Sequence, residues 1–265
     1  MAIGIITGSG TYALPGFEGS GPEPVTTPWG EALVSRGTVA GVDVAHVSRH
    51  GVGHVRLSNH VTHRANIGAL AEIGVDALVA VTVCGAVDPG IALGSLICFD
   101  DVHFPSNRLP DGSLCTFFSE PGDPRRGHWI YEDPYADGLR AGLLEAAERA
   151  GLPMRDGGCY GHVDGPRFNT RAEIRGLAAA GVTAVSQTAG PETVLAGEAE
   201  LPFALVGYAT DYANGVQAEA TPVERLLELI AASTETFARL LEEALPRIAE
   251  SAPEPTGVVY RFHEG

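Results

Sequence analysis

The chain has 265 residues, 45% hydrophobic and 19% charged, the balance of an ordinary globular fold with a sizeable core. Acidic residues outnumber basic ones 33 to 17, and the net charge of −16 argues against nucleic acid or an anionic membrane as partner. The N-terminus shows no signal-peptide pattern and no apolar run approaches membrane-spanning length. Cys84, Cys98, Cys115 and Cys159 lie far apart with no C-x-x-C pair. The expectation is a cytoplasmic protein with reduced thiols, not a disulfide scaffold or zinc site.

In chain order, a buried-strand run over 2–7 ends in Gly8-Ser9-Gly10, whose backbone N–H groups and hydroxyl in a tight turn form a nest for an anion. These residues also match G-x-G-x-x-A through Ala13, a dinucleotide fingerprint, but Leu14-Pro15-Gly16 follows where that fingerprint needs a helix. A second run, 44–48, ends in Arg49-His50-Gly51. Arginine grips phosphate bidentately and imidazole adds a donor. His46, His50, His54, His60 and His63 crowd this region, yet no Asp or Glu occurs from 44 to 71. That composition favours an anion over a metal, with His46, His60 and His63 structural or superficial.

A helix is predicted over 61–73, then a strand over 77–83 ending in Cys84-Gly85. Residues 103–133 lack periodicity, are rich in Pro, Gly, Asp and Ser, and read as a long surface excursion. A helix over 135–150, a strand over 154–160 and a helix over 171–180 follow. A strand over 182–186 ends in Gln187-Thr188, a helix covers 192–200, and a strand over 203–209 ends in Thr210-Asp211. Thr221 and Glu224 form the pattern of a capping box, with Pro222 in the first turn of a last helix. Leu226, Leu227, Ile230, Phe237 and Leu240 give that helix an apolar face, and the tail over 251–265 is expected to be extended. The alternation predicts one domain over 1–265: a three-layer α/β/α fold around a central mixed, largely parallel sheet.

Residues 162–173 are the most informative stretch. A Gly165-Pro166 turn between strand and helix presents Arg167, Phe168 and Asn169 at one end of the sheet, where α/β folds bind ligands. An aromatic beside an amide suits a flat, heteroatom-rich ligand such as a purine. Taken alone, the stretch reads equally well as a Gly-Pro loop with a core Phe. Thr82 and Thr188 end two further strands and would add hydroxyls to the oxyanion site of Ser9, Arg49 and His50. Asp211, just past an apolar strand, reads either as a cap or as a general acid for a leaving-group nitrogen.

Together these pieces resemble the trimeric purine nucleoside phosphorylase superfamily, closest to its 5'-methylthioadenosine phosphorylase branch. The ordered set runs over most of the chain: Gly4 through Gly10, Thr27-Pro28-Trp29-Gly30, Arg49-His50-Gly51 with His54, Arg64-Ala65-Asn66, Thr82-Val83-Cys84-Gly85, Asp111-Gly112, Gly165-Pro166-Arg167-Phe168 through Glu173, Pro191-Glu192, and Ala209 through Tyr212.

The resemblance implies phosphorolysis of an N-glycosidic bond, giving free base and sugar 1-phosphate. It needs no metal or organic cofactor, and inorganic phosphate is a co-substrate. It implies phosphate held by Ser9, Arg49, His50, Thr82, the Val83 backbone and Thr188. The base is flanked by Cys84, Gly85, Phe168 and Asn169, with Asp211 at its N7 edge. Gln187 and His54 belong to the sugar site, and Val223, Leu226 and Leu227 to an apolar 5' wall that favours a thioether over a hydroxyl. His128 is expected to reach a neighbouring subunit's 5' pocket, which implies a homotrimer with sites at subunit interfaces.

This sequence departs from the family's pattern at Gln187 (a Met there), Ala213 (a second Asp), Asn169 (a Ser), Ser58 (a Pro), Thr62 (an Asn) and His63 (a Tyr). The amide of Gln187 is expected to make new hydrogen bonds to ribose hydroxyls or to phosphate. The carboxylate of Asp211 favours a 6-amino purine. The alternatives are cleavage of inosine, guanosine or adenosine, and a non-catalytic nucleoside-binding homologue.

Overall fold

Period-two alternation in the central strands sorts their side chains onto two buried faces of one sheet, and this decides the architecture. The structure is a computed structural model and describes residues 1–262. Its strands are β1 (Ala2–Thr7), β2 (Glu18–Gly19), β3 (Glu23–Thr27), β4 (Gly30–Val39), β5 (Val42–Ser48), β6 (Ala77–Ala86), β7 (Leu96–Cys98), β8 (Asp101–His103), β9 (Gly127–Ile130), β10 (Met154–Asp156), β11 (Cys159–His162), β12 (Val182–Ser186), β13 (Phe203–Tyr212) and β14 (Val258–Arg261). Its α-helices are α1 (His63–Ile73), α2 (Asp137–Arg149), α3 (Arg171–Ala179), α4 (Ala189–Glu198) and α5 (Val223–Ser251).

Among the described residues, twelve strands form one mixed sheet and β9 pairs with β14 as a separate ribbon. The centre is parallel, in the order β13-β6-β1-β5, with β4 and β7 antiparallel at its flanks. Ile3, Ile5, Val79, Val81, Ala204 and Val206 face α2 and α5, meeting Leu139, Leu143, Phe237, Leu241 and Leu245. Ile6, Leu78, Ala80, Phe203 and Leu205 face the other way, onto Ile67 and Leu70 of α1 and Leu195 of α4. This is the expected three-layer α/β/α arrangement. A smaller cluster of Val87, Val163, Ile174, Val182, Val185 and Ala213 seats α3 beside β12.

Several local expectations are corrected. The predicted strand over 154–160 breaks into β10 and β11, because Gly157 (φ 80°) and Gly158 (φ 142°) jog the chain from β7 across to β8 and β12. The excursion over 103–133 is not all superficial: Leu109, Cys115 and Phe117 are buried, and Glu198 anchors it by accepting from the Phe117 N–H (2.6 Å) and the Thr116 hydroxyl (2.7 Å). The tail forms a strand, β14, and its last three positions lie outside the described residues.

The expected capping box at Thr221 and Glu224 does not form. Pro222 is the N-cap, and the Thr221 hydroxyl instead accepts the Tyr212 N–H at 3.1 Å. A true capping box opens α3, where the Thr170 hydroxyl accepts from the Glu173 N–H and the Glu173 carboxylate accepts from the Thr170 N–H. Helix α4 starts at Ala189, three residues before its predicted start, with Pro191 in the first turn where a missing N–H costs little.

Candidate active site

The site originates in a fork of β6. Its first half pairs with β1, from Ile3 opposite Ala77 to Ile6 opposite Ala80, and its last residues, Gly85 and Ala86, pair with β12. On that edge residues 81–84 have no strand partner, and a cavity of about 280 Å³ opens there. It lies at the carboxyl ends of β1, β5, β6 and β12, the crevice position expected for a ligand in such sheets.

Short polar side chains converge on one end. Gly8 accepts the Thr11 N–H across a turn (3.2 Å) in which Gly10 has φ 85°. A Cβ on Gly10 would also come within 2.8 Å of the Ile230 carbonyl, so this turn holds Ser9 against the cavity only with glycine there. Thr82 and Ser186 line the cavity with their hydroxyls 3.2 Å apart, and Thr188 lines it at the N-terminus of α4, whose dipole favours an anion. His50 lines it too. Its Nδ1–H donates to the Arg56 carbonyl at 2.8 Å, which leaves Nε2 as an acceptor in the neutral ring. Burial pushes the His50 pKa down to about 4. Its ring stacks on His54 at 4.1 Å, and His54 Nδ1 lies 3.0 Å from the Tyr12 hydroxyl.

Arg49 is placed differently from expectation. It is fully buried and does not line the cavity. Nε and Nη2 donate to the two carboxylate oxygens of Glu192 (2.6 and 2.7 Å), and Nη1 donates to the Val81 carbonyl (2.7 Å). A guanidinium in a dry interior needs such a partner. Burial acts to raise the Glu192 carboxyl, but the charge and hydrogen bonds of Arg49 outweigh it and hold the group well below the usual carboxylate range. Nη1 would lie 2.9 Å from a Cβ on Gly8, so the charge sits directly beneath the Gly8-Ser9 turn.

The other end is built by a bulge. β13 pairs with β6 through Ala209 opposite Cys84, then slips so that Asp211 faces Gly85, leaving Thr210 as the extra residue. The bulge aims Asp211 into the cavity. The Thr210 hydroxyl donates to Asp211 Oδ1 at 2.9 Å, and a Cβ on Gly85 would come within 3.3 Å of Oδ2. Burial raises the Asp211 carboxyl against the lowering effect of the Thr210 bond, which moves it towards holding a proton. Cys84 lines the wall with its thiol pushed up by burial, neutral and inert. Thr82 and Gly85 are three residues apart on β6, about 10 Å along the strand, enough room for one sugar between an anion and a base.

Phe168 and Asn169 line the mouth on the loop before α3, and Phe168 is 61% exposed. The Asn169 carbonyl accepts from the Asn214 amide at 2.7 Å. Gln187, His54 and Leu226 line the cavity. Val223 does not: at the first position of α5 it is 63% exposed, and Leu227 is exposed as well. The apolar wall is Leu226 with Ile230, one helical turn apart. Ile230 and Ser58 were missed by sequence reasoning, although the i, i+4 spacing from Leu226 pointed to the former. His128 lies on β9, exposed, edge-on to Phe262 and outside this subunit's cavity. Among the described residues no group of His, Cys, Asp and Glu comes together in a metal-holding arrangement, and no helix is long and apolar enough to cross a membrane.

The sequence pattern of the Phosphorylase superfamily matches residues 2–246. The chain is 34% identical to a 6-oxopurine nucleoside phosphorylase of Pyrococcus furiosus, covering 93% of this chain and 92% of that one. It is 34% identical to an S-methyl-5'-thioadenosine phosphorylase of Thermofilum pendens, covering 94% and 93%. A solved methylthioadenosine phosphorylase of Schistosoma mansoni in complex with adenine superposes with a TM-score of 0.84 at 27% identity, covering 94% of this chain and 92% of that one. Overall identity therefore does not separate 6-oxopurine from methylthioadenosine relatives, and the residues lining the cavity have to.

Proposed function

The chain belongs to the Phosphorylase superfamily, and on that premise we propose that its cavity cleaves a 5'-deoxy adenine nucleoside, 5'-methylthioadenosine or a close relative, with inorganic phosphate. The observation that carries the reading is one cavity lined both by Ser9, His50, Thr82 and Thr188 and, one sugar's length away, by a buried carboxyl.

A phosphate oxygen bonds to C1' of the sugar as the C1'–N9 bond breaks, and the bond's electron pair leaves with the purine. The hydroxyls of Ser9, Thr82 and Thr188, the free backbone edge at Val83 and the α4 N-terminus hold the anion beneath the sugar. There its charge stabilises the oxocarbenium-like transition state. Arg49 contributes through its positive charge beneath the Gly8-Ser9 turn. His50, neutral with Nε2 accepting, takes a hydrogen bond from a protonated phosphate oxygen. Asp211 hydrogen-bonds or protonates N7 of the departing base, a role its raised pKa suits. Phe168 stacks on the base, with Asn169, Cys84 and Gly85 beside it. No metal or organic cofactor is called upon.

A carboxyl that donates to N7 through one oxygen accepts from a 6-amino group through the other, which favours adenine over a 6-oxo base. Leu226 and Ile230 offer a 5'-hydroxyl no partner, which favours a thioether or other 5'-deoxy group. The ribbon of β9 and β14 leaves Ile130, Tyr131, Val258, Tyr260 and Phe262 exposed beside His128. We read this face as a subunit contact of a homotrimer in which His128 completes the neighbour's 5' pocket. Four unpaired thiols suit a reducing cytoplasm.

The test is base release from 5'-methylthioadenosine, adenosine and inosine, each with and without phosphate. The reading requires phosphate-dependent adenine release, fastest from the methylthio compound. Release from inosine alone would overturn the assignment of the base, and turnover without phosphate would overturn phosphorolysis.

A further inference from the structure

Gln187 directly follows β12 and lines the cavity, and each end of its amide has a protein partner. Oε1 accepts the Ser58 hydroxyl at 2.8 Å, and Nε2 donates to the Arg167 carbonyl at 3.1 Å. A carbonyl only accepts, so the Nε2 end must face Arg167, and the amide orientation follows from the geometry. Ser58 is buried in the segment that follows His50 and His54, and Arg167 precedes Phe168 at the mouth. One side chain thus joins the anion end at Ser186–Thr188, the His50–Ser58 segment and the loop that presents Phe168.

The fit around this junction is close. A Cβ on Gly165 would overlap both Gln187 Oε1 and Ser58 Oγ. The loop is fastened at its ends, where the Val163 N–H donates to the Ser186 carbonyl (3.1 Å) and the Asn169 carbonyl accepts from Asn214 (2.7 Å). Between them, Arg167 pairs with Glu173 near the start of α3. Among the hydrogen bonds of the described residues, that of Gln187 is what ties 164–168 down to the floor of the cavity.

We propose that Gln187 is a positioning residue: with Ser58 it latches the Phe168 loop across the sugar end of the cavity and so sets nucleoside affinity, and it is not a ligand of the ribose hydroxyls. The inference rests on the assignment of the cavity as a nucleoside site and replaces the expectation that this amide binds ribose or phosphate. Opening the latch frees Phe168 from its stacking position without touching the anion end, so nucleoside and phosphate respond differently.

The variants are Gln187→Met, of similar length without polar hydrogen bonding, Ser58→Ala and the double variant. Each is assayed for kcat and KM with adenosine, 2'-deoxyadenosine and 3'-deoxyadenosine, and for trypsin cleavage after Arg167 located by mass spectrometry. A buried neutral hydrogen bond corresponds to about fivefold, so Gln187→Met should raise nucleoside KM by about 5- to 25-fold and Ser58→Ala by about fivefold. The phosphate KM should stay put and kcat should fall less than KM rises. The penalty should be the same for all three sugars, the double variant no worse than Gln187→Met, and cleavage after Arg167 faster in every variant. A Gln187→Met penalty that vanishes with one deoxy sugar, with Ser58→Ala silent, would make Gln187 a sugar ligand and overturn the latch. Unchanged trypsin cleavage would overturn it too. Should neither these nucleosides nor 5'-methylthioadenosine turn over with phosphate, the functional reading fails, while the cleavage rates still decide whether the latch exists.

Discussion

Replacing Glu192 by Gln tests the buried ion pair beneath the anion end of the cavity. Glu192 and Arg49 are both fully buried and joined by two hydrogen bonds of 2.6 and 2.7 Å, with the third Arg49 contact on the Val81 carbonyl. The amide in Glu192→Gln retains one acceptor but leaves the guanidinium charge uncompensated, since the remaining neighbour, His63, is no anion. Breaking such a pair costs about 3–5 kcal/mol, and the retained acceptor places Glu192→Gln near the lower end. For a chain of this length about 3 kcal/mol corresponds to a fall in Tm of about 6–12 °C. The assay is urea unfolding at neutral pH in phosphate-free buffer, repeated with added phosphate. If the Arg49 charge serves the anion site, phosphate should restore more stability to the variant than it adds to the parent. Replacing both partners, Arg49→Met with Glu192→Leu, should cost less stability than Glu192→Gln while phosphate-dependent turnover is lost. A Glu192→Gln protein within about 0.5 kcal/mol of the parent would refute the reasoning, because charge removal at a buried pair lies well outside ordinary surface effects.

Asp211→Asn removes the proton carried to N7 and reverses the hydrogen-bond sense at the 6-position, so adenine release should fall by about 10²- to 10⁴-fold, with inosine favoured relative to adenosine. Near-normal adenine release would exclude Asp211 from the mechanism. Leu226→His gives a 5'-hydroxyl a partner in the apolar wall, so kcat/KM should shift from the methylthio compound towards adenosine by about tenfold or more, and an unchanged ratio would move the 5' site away from α5. Burial holds His46 and His50 down to about 4 and His162 to about 3, below the value of about 6.5 in an unfolded chain. The folded state therefore binds fewer protons between about pH 4 and 6.5, and the stability these groups contribute is complete above that window and lost as pH falls through it. Near pH 5 unfolding takes up about three protons, a slope of about 4 kcal/mol per pH unit. Urea midpoints flat from pH 7 to pH 4.5 would contradict the burial of these rings. The depressed Glu192 carboxyl adds stability that is present above its unfolded pKa and lost only in stronger acid.

What could be read from the sequence was local. Runs such as Ala2–Thr7, Val182–Ser186 and the start of β13 were legible because buried parallel strands are near-continuous apolar stretches that end in small polar residues. Those same ends carry Ser9, Thr82, Gln187, Thr188 and Asp211, so most of the lining was readable as punctuation. The strands β3 and β4, over 23–39, mix buried with exposed positions, a weaker pattern, and their antiparallel pairing with each other and with β5 was not foreseen. The box at Thr221 shows the limit of a local rule: the motif is present, but a distant backbone N–H from Tyr212 takes the hydroxyl that the helix would have used.

The decisions left to tertiary structure concern partners far apart in the chain. Arg49 reads from the sequence as a free cation until Glu192, 143 positions on, engages its fork, and Gln187 reads as an unpartnered amide until Ser58, 129 positions back, and Arg167 pair with it. Amino-acid order determines which side chains can donate, accept or carry charge. Which of them stay available to a ligand depends on what else is buried against them, because a polar group removed from water must find its partner inside the protein first.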